Sequence, residues 1–137
     1  MSAERLLLDT HALIWWLNRS DRLPPTARDR IADGAVEVLV SSASLWEIAI
    51  KVRTGKLREA ETFLASAAAI LARENFEPLP ISHADAVLAG GLDTPHRDPF
   101  DRMLVAQALL GELTLVSNET LFDTVVHNGR TPNRVWE

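Results

Sequence analysis

The sequence predicts an α/β fold in which helices cover a mainly parallel sheet. Short runs rich in valine and leucine recur along the chain, and stretches with the spacing of amphipathic helices separate them. This alternation favours parallel strands, because a parallel pair needs a long crossover connection and a helix supplies it. The chain has 137 residues, of which 47% are hydrophobic and 24% charged, so we expect one globular domain over residues 1–137.

Each strand and helix of this fold has its own signal in the sequence. Apolar runs predict strands at residues 5–8, 36–40 and 113–116, with a last short strand at residues 133–136. A weaker strand at residues 77–81 contains Pro78 and Pro80, which lack backbone donors, so it should be irregular or lie at a sheet edge. Helical spacing predicts helices at residues 11–18, 25–32, 44–54, 59–74, 83–90 and 99–110.

The composition limits the kinds of site and the cellular location. The chain has no cysteine, so a metal must bind oxygen or histidine nitrogen and no disulfide is expected. Asp9 and His11 interrupt the first apolar stretch, which argues against a signal peptide, and no stretch has the roughly 20 apolar residues of a membrane span. We therefore expect a cytoplasmic protein without a membrane partner. A net charge of −5 argues against a broad basic surface for nucleic acid.

Acidic residues follow several of the predicted strands or open the next helix. They are Asp9, Glu47, the pair Asp98 and Asp101, and Glu119. The carboxyl ends of parallel strands meet at one edge of the sheet, so these side chains are expected to converge. Two carboxylates about 4 Å apart repel by roughly 4 kcal/mol at an effective dielectric near 20, so the cluster needs a cation. Oxygen ligands favour Mg²⁺ or Mn²⁺, and such a site suits phosphodiester hydrolysis by metal-activated water.

Helix capping is the structural alternative for each of these acids. Ser44 and Glu47 match a capping box, and Asp98 matches an N-cap that is followed by Pro99 at the first helical position. Asp9 closes a buried strand with no basic partner nearby in sequence, which favours a functional role for it. Capping explains each residue separately but not why several strand ends carry an acid, so the joint pattern favours a metal site.

Four segments strongly resemble PIN-domain toxins of the VapC type, in order and over nearly the whole chain: LLLDTHALIWWL, SSASLWEIAIKVRTGKL, HRDPFDRMLVAQAL and LTLVSNE. The resemblance implies a three-layer α/β/α sandwich and a Mg²⁺- or Mn²⁺-dependent endoribonuclease that cleaves RNA. It also implies a homodimer and a cognate antitoxin that docks a peptide segment near the active site.

The resemblance also assigns roles to individual acids. Asp9, Glu47 and Asp101 match the family's catalytic, metal-binding acids by position. The family's fourth acid is usually aspartate, whereas this chain has Glu119, whose longer side chain is expected to contact the metal through water. Asp98 belongs to the same RDPFDR segment and ranks below Asp101 as a ligand.

Other polar and aromatic residues have structural interpretations that are commoner than functional ones. His11 and His96 are expected to make hydrogen bonds or caps rather than to act in catalysis, and the tryptophans to pack rather than to stack on bases. A solvated helix face is the expected role of the basic run Lys51, Arg53, Lys56 and Arg58. Residues that bind substrate are not assigned.

Three alternative functions remain open. A phospho-receiver domain fits poorly, because it needs an acidic pair after the first strand and only Asp9 stands there. A PIN-like nuclease or phosphodiesterase outside any toxin-antitoxin pair has the same acids. A non-catalytic PIN-like module that binds nucleic acid is the third, and Glu119 is the residue that suggests it.

Overall fold

The structure is a computed structural model, and it describes residues 4–137. Its five strands form one sheet in which every neighbouring pair is parallel, in the order β3-β2-β1-β4-β5. The strands are β1 (Arg5–Leu8), β2 (Glu37–Ser41), β3 (Phe76–Leu79), β4 (Thr114–Val116) and β5 (Asn133–Val135). The predicted α/β fold with a mainly parallel sheet is therefore confirmed.

Helices connect the strands and lie on both faces of the sheet. The α-helices are α1 (Thr10–Leu17), α2 (Pro25–Ala32), α3 (Ser42–Arg53), α4 (Glu61–Ala65), α5 (Ala67–Arg73), α6 (His83–Gly91) and α7 (Pro99–Gly111). Two 3₁₀ helices span Arg58–Ala60 and Thr120–Thr124. Across residues 4–137, none of the helices combines the length and the apolar character that crossing a membrane would require.

The central strand β1 separates two hydrophobic clusters. Leu6 and Leu8 pack into one cluster with residues of α1, α2 and α3, whereas Leu7 packs into the other with residues of α7. Alternate residues of a strand point to opposite faces, so a strand buried on both sides is apolar throughout. The result is the three-layer arrangement that the sequence resemblance implied.

The edge strand β3 agrees with the interpretation of its two prolines. It lies at one end of the sheet and, among the strands that the structure describes, pairs with β2 alone, where Pro78 stands opposite Val40. Pro80 lies beyond the end of the strand, so its missing donor costs no ladder hydrogen bond. The strand runs from Phe76 to Leu79 rather than over residues 77–81, and the edge placement is confirmed.

The prediction of one helix over residues 59–74 is wrong. The segment divides into a 3₁₀ turn and the two short helices α4 and α5, which meet at Ser66. Ser66 has φ −136° and ψ 30°, outside the helical region, so the hydrogen-bond ladder is interrupted there. The alanines on both sides of Ser66 favour a helix, whereas serine favours it less. The spacing of apolar residues does not include this difference in helix propensity.

Candidate active site

The acids predicted from the sequence converge on one cavity at the carboxyl ends of the strands. Its volume is about 240 Å³. The lining residues are Asp9, Thr10, His11, Trp15, Glu47, Lys51, Asp98, Asp101, Asn118 and Glu119. We call this space the acidic cavity. It forms where β1, β2 and β4, which lie side by side in the sheet, pass into the segments that follow them.

Asp9 makes the helix cap that was the structural alternative for it, and it also lines the acidic cavity. It is the N-cap of α1, where its Oδ1 accepts a hydrogen bond from the backbone N of Ala12 at 2.7 Å. The residue is only 6% exposed, and this burial raises the pKa of its carboxyl, although hydrogen bonds from Ser117 and Ala12 lower it in part. Asp9 therefore stabilises the start of a helix and also presents a carboxylate to the acidic cavity.

Glu47 is not a capping residue, so the capping-box interpretation of Ser44 and Glu47 is wrong. Helix α3 begins two residues earlier than predicted, with Ser41 as its N-cap, which places Glu47 in the second turn. Glu47 is 8% exposed, and Oε1 accepts a hydrogen bond from Thr10 Oγ1 at 2.5 Å. The other oxygen, Oε2, lies 2.8 Å from Lys51 Nζ, one helical turn further along. Both oxygens are thus held in place by side chains of α1 and α3.

Asp98 is the N-cap of α7, as the sequence predicted. Its Oδ1 accepts hydrogen bonds from the backbone N of Phe100 at 2.9 Å and of Asp101 at 3.1 Å, and Pro99 occupies the first helical position. One of its oxygens is therefore engaged by backbone donors. This cap fixes the first turn of α7, from which Asp101 reaches the acidic cavity.

The carboxyl group of Asp101 is strongly perturbed by its surroundings. Its pKa rises from 3.8 to about 7, chiefly because it is buried and then because Asp98, Glu47, Asp9 and Glu119 repel its charge. Four negative neighbours favour either a proton or a cation at this carboxylate. Its Oδ2 also lies 3.1 Å from Nε2 of His96.

Glu119 lies at the N-cap of the 3₁₀ helix Thr120–Thr124, where its Oε1 accepts a hydrogen bond from the backbone N of Leu121 at 2.9 Å. It also approaches Asp101 and His96, since each of the three residues offers a ligand atom within 4.8 Å of the others. Within residues 4–137, His96 Nε2 is buried without a hydrogen bond of good geometry. A buried imidazole nitrogen beside two carboxylates is a donor set that fits a divalent cation.

Residues 6–128 match the family model of the PIN domain. The chain belongs to the PIN domain family. No curated protein sequence gives a significant match to it.

Solved structures with this PIN fold include several toxin-antitoxin complexes. VapBC2 from Rickettsia felis, bound to a DNA fragment from its promoter, is 19% identical; the match covers 97% of this chain and 99% of that chain, with a TM-score of 0.68. A toxin-antitoxin complex from Klebsiella pneumoniae is 20% identical, with coverages of 84% and 87% and a TM-score of 0.55. FitAcB from Neisseria gonorrhoeae is 19% identical, with coverages of 84% and 88% and a TM-score of 0.55. At these identities the similarity establishes the fold.

In this PIN domain the loop that carries His96 is held by one arginine of α7. Arg102 donates hydrogen bonds to backbone oxygens of Ala89 at 2.9 Å, Leu92 at 2.7 Å and His96 at 2.9 Å. Its guanidinium donates to carbonyl groups at the end of α6 and in the following loop, where no backbone N–H of a helix is available to them. Arg102 therefore positions His96 over Asp101.

Sequence reasoning missed several residues that line or support the acidic cavity. His96 was placed outside the catalytic set, and Lys51 was assigned to a solvated helix face. Lys51 follows Glu47 by four residues, and that helical pairing rule was the signal that pointed to their contact. Thr10 and Ser117 bond to the acids through contacts between distant segments, which spacing along the chain does not reveal.

Proposed function

We propose that this PIN domain is a metal-dependent endoribonuclease and the toxin of a toxin-antitoxin pair of the VapC type. The observation that carries the proposal is the convergence of Asp9, Glu47, Asp101 and Glu119 on one cavity. Lys51 is the one Lys or Arg side chain among the described residues lining that cavity, and it is paired with Glu47. The remaining negative charge favours a divalent cation, with a phosphate of the substrate beside it.

The proposed metal ligands are Asp9, Asp101 and Glu47, with Glu119 contacting the ion through water and Asp98 as the weakest candidate. Mg²⁺ or Mn²⁺ fits these oxygen donors, and when bound it would supply activated water and neutralise charge on the phosphate. One oxygen each of Asp98, Glu119 and Asp9 accepts a backbone hydrogen bond, which leaves the second oxygen of each for a cation or for its bound water. Thr10 and Lys51 orient the Glu47 carboxylate, and His96 borders Asp101.

Metal removal tests this proposal directly. Purified protein should cleave single-stranded RNA in Mg²⁺ or Mn²⁺ and lose that cleavage in EDTA, because the acids are not expected to activate water unaided. Single-stranded DNA of the same sequence serves as the substrate control. Undiminished cleavage in EDTA would falsify the metal mechanism, preference for DNA would favour another PIN-like nuclease, and RNA binding without cleavage would favour a non-catalytic module.

The two aspartates at the start of α7 should separate stability from activity. Asp98→Ala removes an N-cap, which typically costs about 1 kcal/mol, whereas Asp98→Asn keeps a capping oxygen and should keep the melting temperature. Asp101→Ala should instead lower cleavage by more than the roughly 10- to 100-fold typical of outer-shell partners, with little loss of stability. Thermal melts and cleavage rates of the three variants check this. A larger rate loss in Asp98→Asn than in Asp101→Ala would reverse the assignment.

The proposed partners are RNA, a cognate antitoxin and a second copy of the chain. The solved toxin-antitoxin complexes of the same fold support the antitoxin. An apolar groove of about 390 Å³ between α3, α6 and α7, which includes Trp46, Phe100 and Met103, supports the homodimer. Trp46 is 60% exposed there, so a charged residue in its place should convert a dimer to a monomer in light scattering. Wild-type protein that is monomeric would exclude the dimer.

An RNA substrate also supports the cytoplasm as the site of action. We further propose that residues 1–137 act as one nuclease domain, since segments that surround one sheet supply all the acids lining the cavity in residues 4–137.

A further inference from the structure

We propose that His11, Trp15 and Trp136 form a stacking platform that holds one unpaired base of the RNA beside the acidic cavity. We call these three residues the aromatic platform. The inference rests on the proposed function, because it assigns a subsite for the same substrate. It also restricts the proposed substrate to single-stranded RNA in which one base can unstack from its neighbours.

The three rings adjoin one another in a chain, with Trp15 between His11 and Trp136. The His11 ring stacks on Trp15 with centroids 5.4 Å apart and planes inclined by 22°, and Trp136 meets Trp15 at 5.8 Å and 55°. The guanidinium carbon of Arg22 lies 5.9 Å from the centroid of the Trp15 ring. His11 is exposed and lines two cavities, and Trp15 is its one aromatic neighbour in residues 4–137, so the imidazole offers surface to a further ring.

The platform is adjacent to the proposed catalytic acids. His11 and Trp15 line the acidic cavity and also a second cavity of about 380 Å³ that Arg22 borders. Trp136 lines a third, more polar cavity of about 570 Å³, which shares Asn118 with the acidic cavity and also contains Arg134. A nucleotide whose phosphate occupies the acidic cavity therefore has an aromatic surface within reach of its base.

The platform is held rigidly, which reduces the entropy lost on binding. His11 and Trp15 are four residues apart on α1, so their rings lie on one helix face, and the Asp9 cap fixes the first turn. Trp15 and Trp136 are half-buried and pack against the core beneath them. Trp16, on another face of α1, packs on Phe76 and bonds Glu74, so it is not available to RNA.

A nucleobase fits this surface better than an aliphatic group does. Stacking on aromatic rings stabilises any base, since every base has a π face, and a nearby arginine contributes charge without choosing the sequence. A base in a duplex is already stacked on both faces and gains less. The platform therefore favours single strands and tolerates different bases, while the acidic cavity positions the phosphate.

Two variants of His11 isolate stacking from the other properties of the imidazole. His11 also lowers the pKa of Asp9 through its charge, so His11→Ala alone is ambiguous. His11→Phe keeps a flat ring without the charge and should retain RNA binding, whereas His11→Ala should weaken it by about 5- to 100-fold. His83→Ala is the matched control, because His83 is also an exposed histidine in the first turn of a helix and does not line the acidic cavity.

The experiment measures binding of a set of labelled RNA oligonucleotides by fluorescence anisotropy in Ca²⁺, with the RNA made abasic at one position at a time. At one position, loss of the base should weaken RNA binding by the wild type and by His83→Ala. The same loss should change RNA binding by His11→Ala little. KM for cleavage in Mg²⁺ should follow the same pattern, with kcat changing less. Trp136→Ala gives a second, independent test on another segment.

Two results would overturn the inference. The first is that the wild type binds all of the abasic RNAs equally well. The second is that His11→Ala and Trp136→Ala both bind RNA as tightly as the wild type does, whatever effect they have on antitoxin binding. Platform-dependent binding without any cleavage would support the inference and contradict the proposed nuclease. Cleavage with no abasic effect would support the nuclease and contradict the platform, so the two failures are distinguishable.

Discussion

Asp9→Asn should reduce metal-dependent RNA cleavage by more than about 100-fold, beyond the usual effect of losing an outer-shell partner. The amide keeps the oxygen that caps α1 at Ala12, because asparagine caps helices about as well as aspartate. It removes the charge on a residue that burial already disfavours as an anion. The metal-free variant should therefore be at least as stable as wild type at neutral pH, and more cleavage than a few per cent of wild type would exclude Asp9 as a ligand.

Asp9→Ala is the control that separates the cap from the charge. Alanine removes both the capping oxygen and the charge. The loss of the cap, which typically costs about 1 kcal/mol of stability, therefore opposes the gain from relieving the repulsion between carboxylates. Thermal melts should rank Asp9→Asn above Asp9→Ala in stability, while both lack cleavage. The same low melting temperature in both variants would mean that the ionised carboxylate itself stabilises α1.

The fold was predictable from the sequence because its main signals are local. Residues 6–8 are all leucine since this part of β1 is buried on both faces, and Asp98 with Pro99 marks the start of α7 in the sequence itself. The start of α3 was harder to predict, because Ser41, Ser42 and Ser44 are all suitable N-cap residues. Only the position at which β2 ends decides among them. That ambiguity produced the wrong capping-box interpretation of Glu47.

The identities of the acids in the cavity were predictable, but their supporting contacts were not. Asp9, Asp101 and Glu119 follow strands or open helices, and Glu47 lies in the second turn of the helix after β2, so the topology brings all four to one edge of the sheet. The place of His96 depends on a loop whose path is set by Arg102, through hydrogen bonds to carbonyl groups that carry no sequence signal. Backbone acceptors are the same for every residue, so such contacts require a structure.

Metal binding should weaken steeply as the pH falls below about 7. The pKa of Asp101 in the metal-free protein is about 7, so a cation must displace a proton from it at lower pH. Affinity should then approach a tenfold fall per pH unit well below pH 7, which amounts to about 50-fold between pH 7 and pH 5 because the carboxyl is half-ionised at pH 7. The raised pKa of buried Asp9 makes the dependence steeper still. The measurement is the Mg²⁺ concentration that gives half of the metal-induced rise in melting temperature, taken from pH 5 to pH 8.

Without metal, the stability of the protein should change with pH in the opposite direction. The folded-state pKa of Asp101 is raised above the 3.8 of the unfolded chain, so its contribution is fully present below that value and is lost as the pH rises through about 7. Mg²⁺ should reverse this loss, because it replaces the proton among the carboxylates. Asp101→Asn has no proton to exchange at this position, so its Mg²⁺-free melting temperature should fall less between pH 5 and pH 8 than that of wild type. Equal slopes in the two proteins would mean that Asp101 is ionised without metal, and that the neighbouring acids repel it less than their convergence implies.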